Sequence, residues 1–190
     1  PILRLVTLSR LKKSELQTEY NASDLEYTWL EVDYAARALA QYKKEFGVYD
    51  YTDMLELFAR SAHEVCPSFK LSMLDEAQDL SPLQWDIAHA IDEKSERMYC
   101  AGDDDQAIYR WAGADVDYLI RNSKDAMILK QSYRVPSSIH KIAQNCIGQV
   151  ASRVQKSWNP RKEAGHVSWE PSYETIDMES GEWLVLARTN

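Results

Sequence analysis

Two adjacent carboxylates, Asp75 and Glu76, close the apolar run Leu71-Ser-Met-Leu74, and Asp79 follows them. A strand that stops on Asp-Glu sets both acids at the carboxyl edge of a sheet, where open α/β folds take their ligands. A hard cation such as Mg²⁺ is commonly held by one or two carboxylates together with substrate phosphates. The second acid is then placed to polarise a water. Such a cluster repels itself unless a cation or hydrogen-bond donors compensate. The bland alternative is a pair of solvated acids in a βα loop. The strand directly before them, with Gln78 and Asp79 directly after, weighs against it.

A second set of polar groups follows at Gly102-Asp-Asp-Asp-Gln106. It too closes an apolar run, so it shares an edge with the first. Gly102 suits a tight turn. Gln106 offers a donor and an acceptor, fit for a phosphate oxygen and an attacking water. Tyr109 and Trp111 come immediately after. Their i, i+2 spacing makes no helical stripe, so they read as stacking platforms for bases more readily than as core. Arg134 lies after a third apolar run and ahead of Pro136, a position suited to anion contact. The two acidic motifs together point to nucleotide hydrolysis coupled to nucleic acid.

The elements that must position these groups can be read from period and punctuation. Leu25, Trp29, Val32, Ala36, Leu39 and Phe46 recur at helical spacing and predict a helix over 23–46, capped by Asn21 or Ser23 and ended by Gly47. Thr52 opens a second helix with Met54, Leu55, Phe58, Ala62 and Val65 inside, stopped by Pro67. Residues 69–74 form the strand that carries the acids. Ser81-Pro-Leu-Gln84 is a strong helix start, with Leu83, Ile87 and Ile91 facing inward. Residues 98–101 form the next strand, so strand, helix and strand make a parallel βαβ unit. A short helix begins near Asp115 and another after Pro136. Strands are expected at 126–129, 166–170 and 183–187, with a turn or linker at 158–161. Residues 1–13 carry no clear helix cap.

Composition bounds the class. The 190 residues are 45% hydrophobic and 27% charged, an ordinary globular mixture sized for one domain or somewhat more. No apolar stretch approaches the roughly 20 residues that cross a bilayer, and no signal-peptide pattern opens the chain. Cys66, Cys100 and Cys146 are scattered and odd in number, as expected of buried thiols in a reducing compartment. Four scattered histidines lack metal-ligand spacing. The net charge of −8 excludes a blanket nucleic-acid binder, yet residues 126–162 hold seven Lys and Arg and no acid. That segment either faces phosphate or is a solvated basic face.

Taken jointly, the motifs resemble those of the UvrD/Rep type of superfamily 1 DNA helicases. Leu-Asp-Glu-Ala-Gln-Asp79 is similar to motif II, Gly102-Asp-Asp-Asp-Gln-Ala-Ile-Tyr-Arg-Trp-Ala-Gly-Ala114 to motif III, and Leu129-Lys-Gln-Ser-Tyr-Arg134 to motif IV. Tyr51-Thr-Asp-Met-Leu55 and Leu184-Val-Leu-Ala-Arg-Thr-Asn190 are similar to flanking segments of that family. The resemblance implies an α/β fold: a P-loop NTPase (RecA-like) parallel sheet with flanking helices, incomplete, plus the start of a second RecA-like domain. It implies ATP and Mg²⁺ as cofactors and single-stranded DNA as partner. By position, Asp75 would coordinate Mg²⁺, and Glu76 would act as general base toward the water attacking the γ-phosphate. Gln106 would couple the γ-phosphate to DNA, Arg134 would stabilise charge on the γ-phosphate, and Tyr109 and Trp111 would contact single-stranded DNA.

The departures shape the domain expectation. No Gly-x-x-x-x-Gly-Lys-Ser/Thr occurs, and none of the six glycines precedes a Lys-Ser or Lys-Thr pair. Ala112 stands where the family commonly has Arg. The chain is therefore expected to be an internal piece. Residues 1–50 would return from an inserted subdomain, 51–125 would be the second half of the first motor domain, and 126–190 the start of the second. The remainder of the helicase chain would be its partner, in a bacterial or phage-type cytoplasm, and this piece alone would be inactive. A non-catalytic binding module built on a helicase core is the alternative. A metal nuclease using Asp75, Glu76 and the acids at 103–105 is a third, weaker reading.

Overall fold

The computed structural model describes residues 1–186. They divide into two compact units, 1–127 with 152–154, and 128–151 with the rest. In the first unit the order is α1 (Ile2–Lys12), α2 (Leu16–Asn21), α3 (Trp29–Phe46), α4 (Tyr51–Val65), β1 (Ser72–Leu74), α5 (Pro82–Glu93), β2 (Met98–Cys100) and α6 (Val116–Asn122). The second unit holds α7 (Ser137–Ile147). The whole is mixed α/β with a two-stranded parallel sheet, in keeping with the expected α/β class.

β1 and β2 pair in register Ser72–Met98, Met73–Tyr99 and Leu74–Cys100, and α5 makes the crossover. Both strands are shorter than expected; ahead of β1 only Phe69 still bridges, to Ser95. The α5 start is as the sequence dictates. Ser81 Oγ accepts from Gln84 N–H, Gln84 returns its side chain to Ser81 N–H, and Pro82 fills the first turn. Behind the sheet edge Ala77, Trp85 and Ala88 form a buried cluster with Leu74, Leu80, Met98, Tyr118 and Leu119 against it. Trp85 and Tyr118 lie 4.5 Å apart, centroid to centroid. Ile87 and Ile91, expected inside, are only half-buried.

Helix boundaries moved where a stronger cap was available. The third helix begins at Trp29, not Ser23, because Thr28 and Glu31 form a reciprocal capping box. Ser23 instead donates its hydroxyl to Tyr20 C=O as α2 ends. Asp50, not Thr52, caps α4 through a box with Asp53; Thr52 is buried. Gly47 ends α3 in the left-handed conformation as expected. Residues 1–13 do form a helix without a side-chain cap, because burial of Leu5 and Ser9 supplies what capping does not. The α3 stripe is less buried than its period implies: Val32 is enclosed, whereas Phe46 is 64% exposed.

No strand forms at 126–129, 166–170 or 183–186 among the described residues, and Ala187 lies outside them. An apolar run becomes a strand only with a partner to take its N–H and C=O groups. In the second unit that partner serves other residues: Gln131 bridges Asn159, Asn159 N–H donates to Lys130 C=O, and Arg161 N–H donates to Val135 C=O. The expected linker at 158–161 is thus a paired strap. It continues to Gly165, whose φ of +71° and close approach to Pro136, 2.6 Å from where a Cβ would stand, exclude any side chain. Only Cys66 is buried; Cys100 and Cys146 are exposed, and all three are free thiols.

Candidate active site

The two acidic motifs meet on one rim because β1 and β2 are hydrogen-bonded to their very ends. Ala101 N–H donates to Leu74 C=O (2.8 Å), and Ala77 N–H donates back to Ala101 C=O (3.0 Å). Beyond this point the chain turns sharply. Glu76 sits in the left-handed region at φ 53°, one of two non-glycine residues with positive φ among those described. That conformation is strained for a side chain with Cβ and persists only where neighbours enforce it.

The neighbours are side chains of both motifs. Asp75 Oδ1 accepts from Glu76 N–H at 2.9 Å. Gln78 Nε2 donates to Glu76 Oε2 at 2.7 Å, and Gln78 Oε1 accepts from Asp103 N–H at 2.9 Å. Asp103 Oδ2 then accepts from Gln106 Nε2 at 2.7 Å. One run of hydrogen bonds therefore links Asp75, Glu76, Gln78, Asp103 and Gln106. Gln78 is 2% exposed, while Asp75, Glu76 and Gln106 face solvent. Gly102 does not adopt a positive φ, so the tight turn expected of it is not its reason. A Cβ there would stand 3.1 Å from Gln78 Oε1 and 3.0 Å from Leu119 Cδ2. Glycine is present because the Gln78 amide passes so close.

The other acids of the second motif have partners on a later segment. Asp105 takes a two-pronged contact from Arg153, Nε at 2.8 Å and Nη2 at 2.5 Å, and Asp104 accepts from Val154 N–H at 2.7 Å. Asp105 holds the Arg153 guanidinium above its ordinary pKa despite burial. Arg153, one of the seven cations of the basic segment, is thereby committed to protein. Among the described residues no three His, Cys, Asp or Glu side chains converge as a metal cage. A magnesium nucleotide asks less of the protein: Asp75 Oδ2 receives no hydrogen bond from the described residues and faces solvent, as one carboxylate sharing a cation with phosphates must.

Tyr109 caps the 3₁₀ turn Arg110–Ala112 and Trp111 lies within it, with centroids 6.2 Å apart and exposures of 43% and 60%. They are not core. Arg4 of α1 stacks on Trp111, Cζ 4.7 Å from the ring centroid. Arg110 is tied to Asp117 by two bonds of 2.9 Å, so its charge is answered by the first turn of α6. Arg134 belongs to the second unit, in the segment ahead of α7; its side chain is exposed and its N–H donates to Ser132 Oγ at 3.3 Å.

Sequence reasoning brought Asp75, Glu76 and Gln106 to one edge but gave no task to Gln78. Its partner Asp103 is 25 residues away, and no local pattern encodes that bond. The one available signal is an amide buried beside Ala77 within a polar run.

Similarity to known proteins extends over most of the chain. The family model of the UvrD/REP helicase N-terminal domain matches residues 4–127. A probable DNA helicase II homolog of Rickettsia conorii is 31% identical over 179 residues, covering 85% of this chain and 27% of that protein. The ATP-dependent DNA helicase PcrA of Bacillus subtilis is 29% identical over 141 residues, 71% of this chain and 18% of PcrA. A DNA helicase II of Haemophilus influenzae is 26% identical over 143 residues, 69% and 20% respectively. The chain thus spans well under a third of the length of each relative. With the model match covering more than half its residues, the chain belongs to the UvrD/REP helicase N-terminal domain family.

Proposed function

We propose that this chain is part of an ATP-dependent DNA helicase or translocase that couples ATP hydrolysis to movement on single-stranded DNA. The observation that carries the reading is the hydrogen-bonded run from Asp75 to Gln106, which places an acid pair and an exposed glutamine on one rim. On this reading residues 51–125 are the second half of a RecA-like, P-loop NTPase motor domain. Residues 126–190 begin a second, and 1–50 return from an inserted subdomain. The sheet supports the piecewise view: Met73 and Tyr99, paired across it, are 75% and 55% exposed on a two-stranded ribbon that is marginal by itself.

Asp75 would hold Mg²⁺, which when bound neutralises phosphate charge. Glu76 would take the proton of the attacking water as the bond between the γ-phosphorus and the bridging oxygen breaks and ADP leaves. Gln106 would sense the γ-phosphate, and Arg134 would meet its charge. Tyr109 and Trp111 would stack on bases without sequence preference. The protein would work in the cytoplasm; no helix among the described residues is long and apolar enough to cross a membrane.

Glu76→Gln in the whole protein tests the reading. DNA-stimulated ATP turnover is expected to fall about 10²- to 10⁴-fold, the usual contribution of a positioned base. Unchanged turnover would favour a non-catalytic module on a helicase core. The 190-residue piece alone is expected to show no ATP turnover, since the glycine-rich phosphate cradle is not among its residues.

A further inference from the structure

Among the described residues Gln78 is the largest of the fully buried side chains, and it is polar. Its amide is used at both ends. The nitrogen end donates to Glu76 Oε2 (2.7 Å) and the oxygen end accepts from Asp103 N–H (2.9 Å). The partners force this orientation: a carboxylate can only accept and a backbone N–H can only donate. The amide cannot flip without losing both bonds. The backbone of Gly102 passes close by the oxygen end: a Cβ there would stand 3.1 Å from Gln78 Oε1. Glu76 itself is in a strained backbone conformation, so its carboxylate needs an external fixture to keep one direction.

From this geometry we infer that Gln78 is a positioning residue, a buried amide strut that aims the Glu76 carboxylate and ties it to the β2 loop. The inference rests on the reading of Glu76 as the general base. Asp103 receives the strut through its N–H and, through its carboxylate, holds Gln106. A shift of the β2 loop therefore reaches Glu76 through one side chain. Tyr109 and Trp111 lie on the same loop, so binding there and turnover at Glu76 share this connection. Gln78 touches neither substrate nor DNA in this scheme.

The test uses the whole protein, MgATP and an oligothymidylate, with three variants. Gln78→Met keeps the length of the side chain and removes both bonds. Gly102→Ala leaves both hydrogen-bonding groups but crowds the oxygen end. Glu76→Gln is the control for the underlying reading. Gln78→Met is expected to lower DNA-saturated kcat by about 10- to 100-fold, as loss of an orienting partner commonly does. KM for MgATP and the affinity for the oligothymidylate stay unchanged, and the ratio of DNA-stimulated to basal turnover falls. Gly102→Ala is expected to shift kcat and the ratio in the same direction by a smaller factor. If Gln78→Met does not fold, as judged by circular dichroism, Gly102→Ala alone decides. A purely structural Gln78 predicts losses that track the folded fraction, with the stimulation ratio intact; that result overturns the inference. So does wild-type kcat and ratio in folded Gln78→Met while Glu76→Gln is inactive. Wild-type turnover in Glu76→Gln removes instead the reading beneath, and the inference with it.

Discussion

Around Asp75 the chain is tied from several directions, whereas around Arg134 it bends over Ser132 beside a single strap. In the first unit a paired strand ends on the acids, a buried cluster backs them, and a buried amide fixes Glu76. In the second unit no described residue is fully buried, and the backbone between 130 and 138 is held mainly by bonds to 159–164. The Arg134 guanidinium makes no ion pair among the described residues. The contrast teaches where rigidity is spent. A general base must keep one direction before substrate arrives, because misaim costs rate directly. An arginine that meets charge developing on a phosphate needs reach and a permanent charge, and its order can come with the ligand.

The sharpest way to break this contrast is Arg134→Ala in the whole protein. If the loosely held arginine serves catalysis, DNA-stimulated kcat falls about 10³- to 10⁵-fold, as for arginines that complete related phosphoryl-transfer sites. The unfolding midpoint stays put, because the side chain supports no packing. A fall of less than about tenfold in steady-state turnover would remove Arg134 from the site. Only the first unit would then carry chemistry.

The same contrast decides what could be read beforehand. Where a local rule sufficed, the sequence was legible: Ser81 and Gln84 cap α5, Gly47 ends α3, and two apolar runs closed by acids pair in parallel. Where a long-range partner decided the outcome, it was not. The apolar run at 126–129 has a strand's composition but no ladder to join, and the supposed linker at 158–161 took the pairing. Arg153 stood in a segment that either faces phosphate or is a solvated basic face, yet Asp105, 48 residues earlier, takes it. Asp103 to Asp105 read as one acidic cluster, yet one holds Gln106 and another holds Arg153. Residue type gives the chemistry available; the fold assigns each group to a partner.

A second comparison lies inside the first unit, between the solvent-facing rim and the ion cluster that joins α1, α3 and α4. Arg10 donates to Glu56 (2.9 Å), Asp53 (2.5 Å) and Asp50 (3.4 Å), and Lys43 also reaches Asp50 and Asp53. Arg10 is 20% exposed and Lys43 15%. Arg10→Met would leave three acids facing one lysine. Destabilisation of about 2–4 kcal/mol is expected in urea unfolding, because the stranded carboxylates keep their desolvation without their partner. Trp111→Ala, on the exposed rim, should cost at most about 1 kcal/mol of that stability, the value of its exposed stack with Arg4. It is expected to weaken oligothymidylate binding by about 1–3 kcal/mol, the value of one base stack. Equal effects of both variants on stability would erase the distinction between framework and rim.

The smallest expected effect separates the two by acid. Burial opposes ionisation of Asp53, but hydrogen bonds from Lys43, the Asp50 N–H and Arg10 outweigh it and hold the carboxyl down at about 2. Asp50 is lowered as well, against burial, chiefly by its bond from Lys43. In the unfolded chain an aspartate titrates near 3.9. A group whose folded value is depressed contributes stability that is fully present above the unfolded value and is lost as pH falls through the folded one. The cluster's contribution is therefore intact above about pH 4 and drains away between there and about pH 2. Asp53→Asn is expected to flatten the pH dependence of the urea midpoint in that window, while lowering the midpoint near neutrality. Variants that keep only Trp85 or only Trp158 report the two units separately by fluorescence. The Asp53-dependent loss should appear at Trp85, whose helix packs on α1 and α4, and not at Trp158. The same Asp53-dependent shift at both tryptophans would mean that the units unfold as one, and the contrast between a braced unit and a loosely held one would not survive.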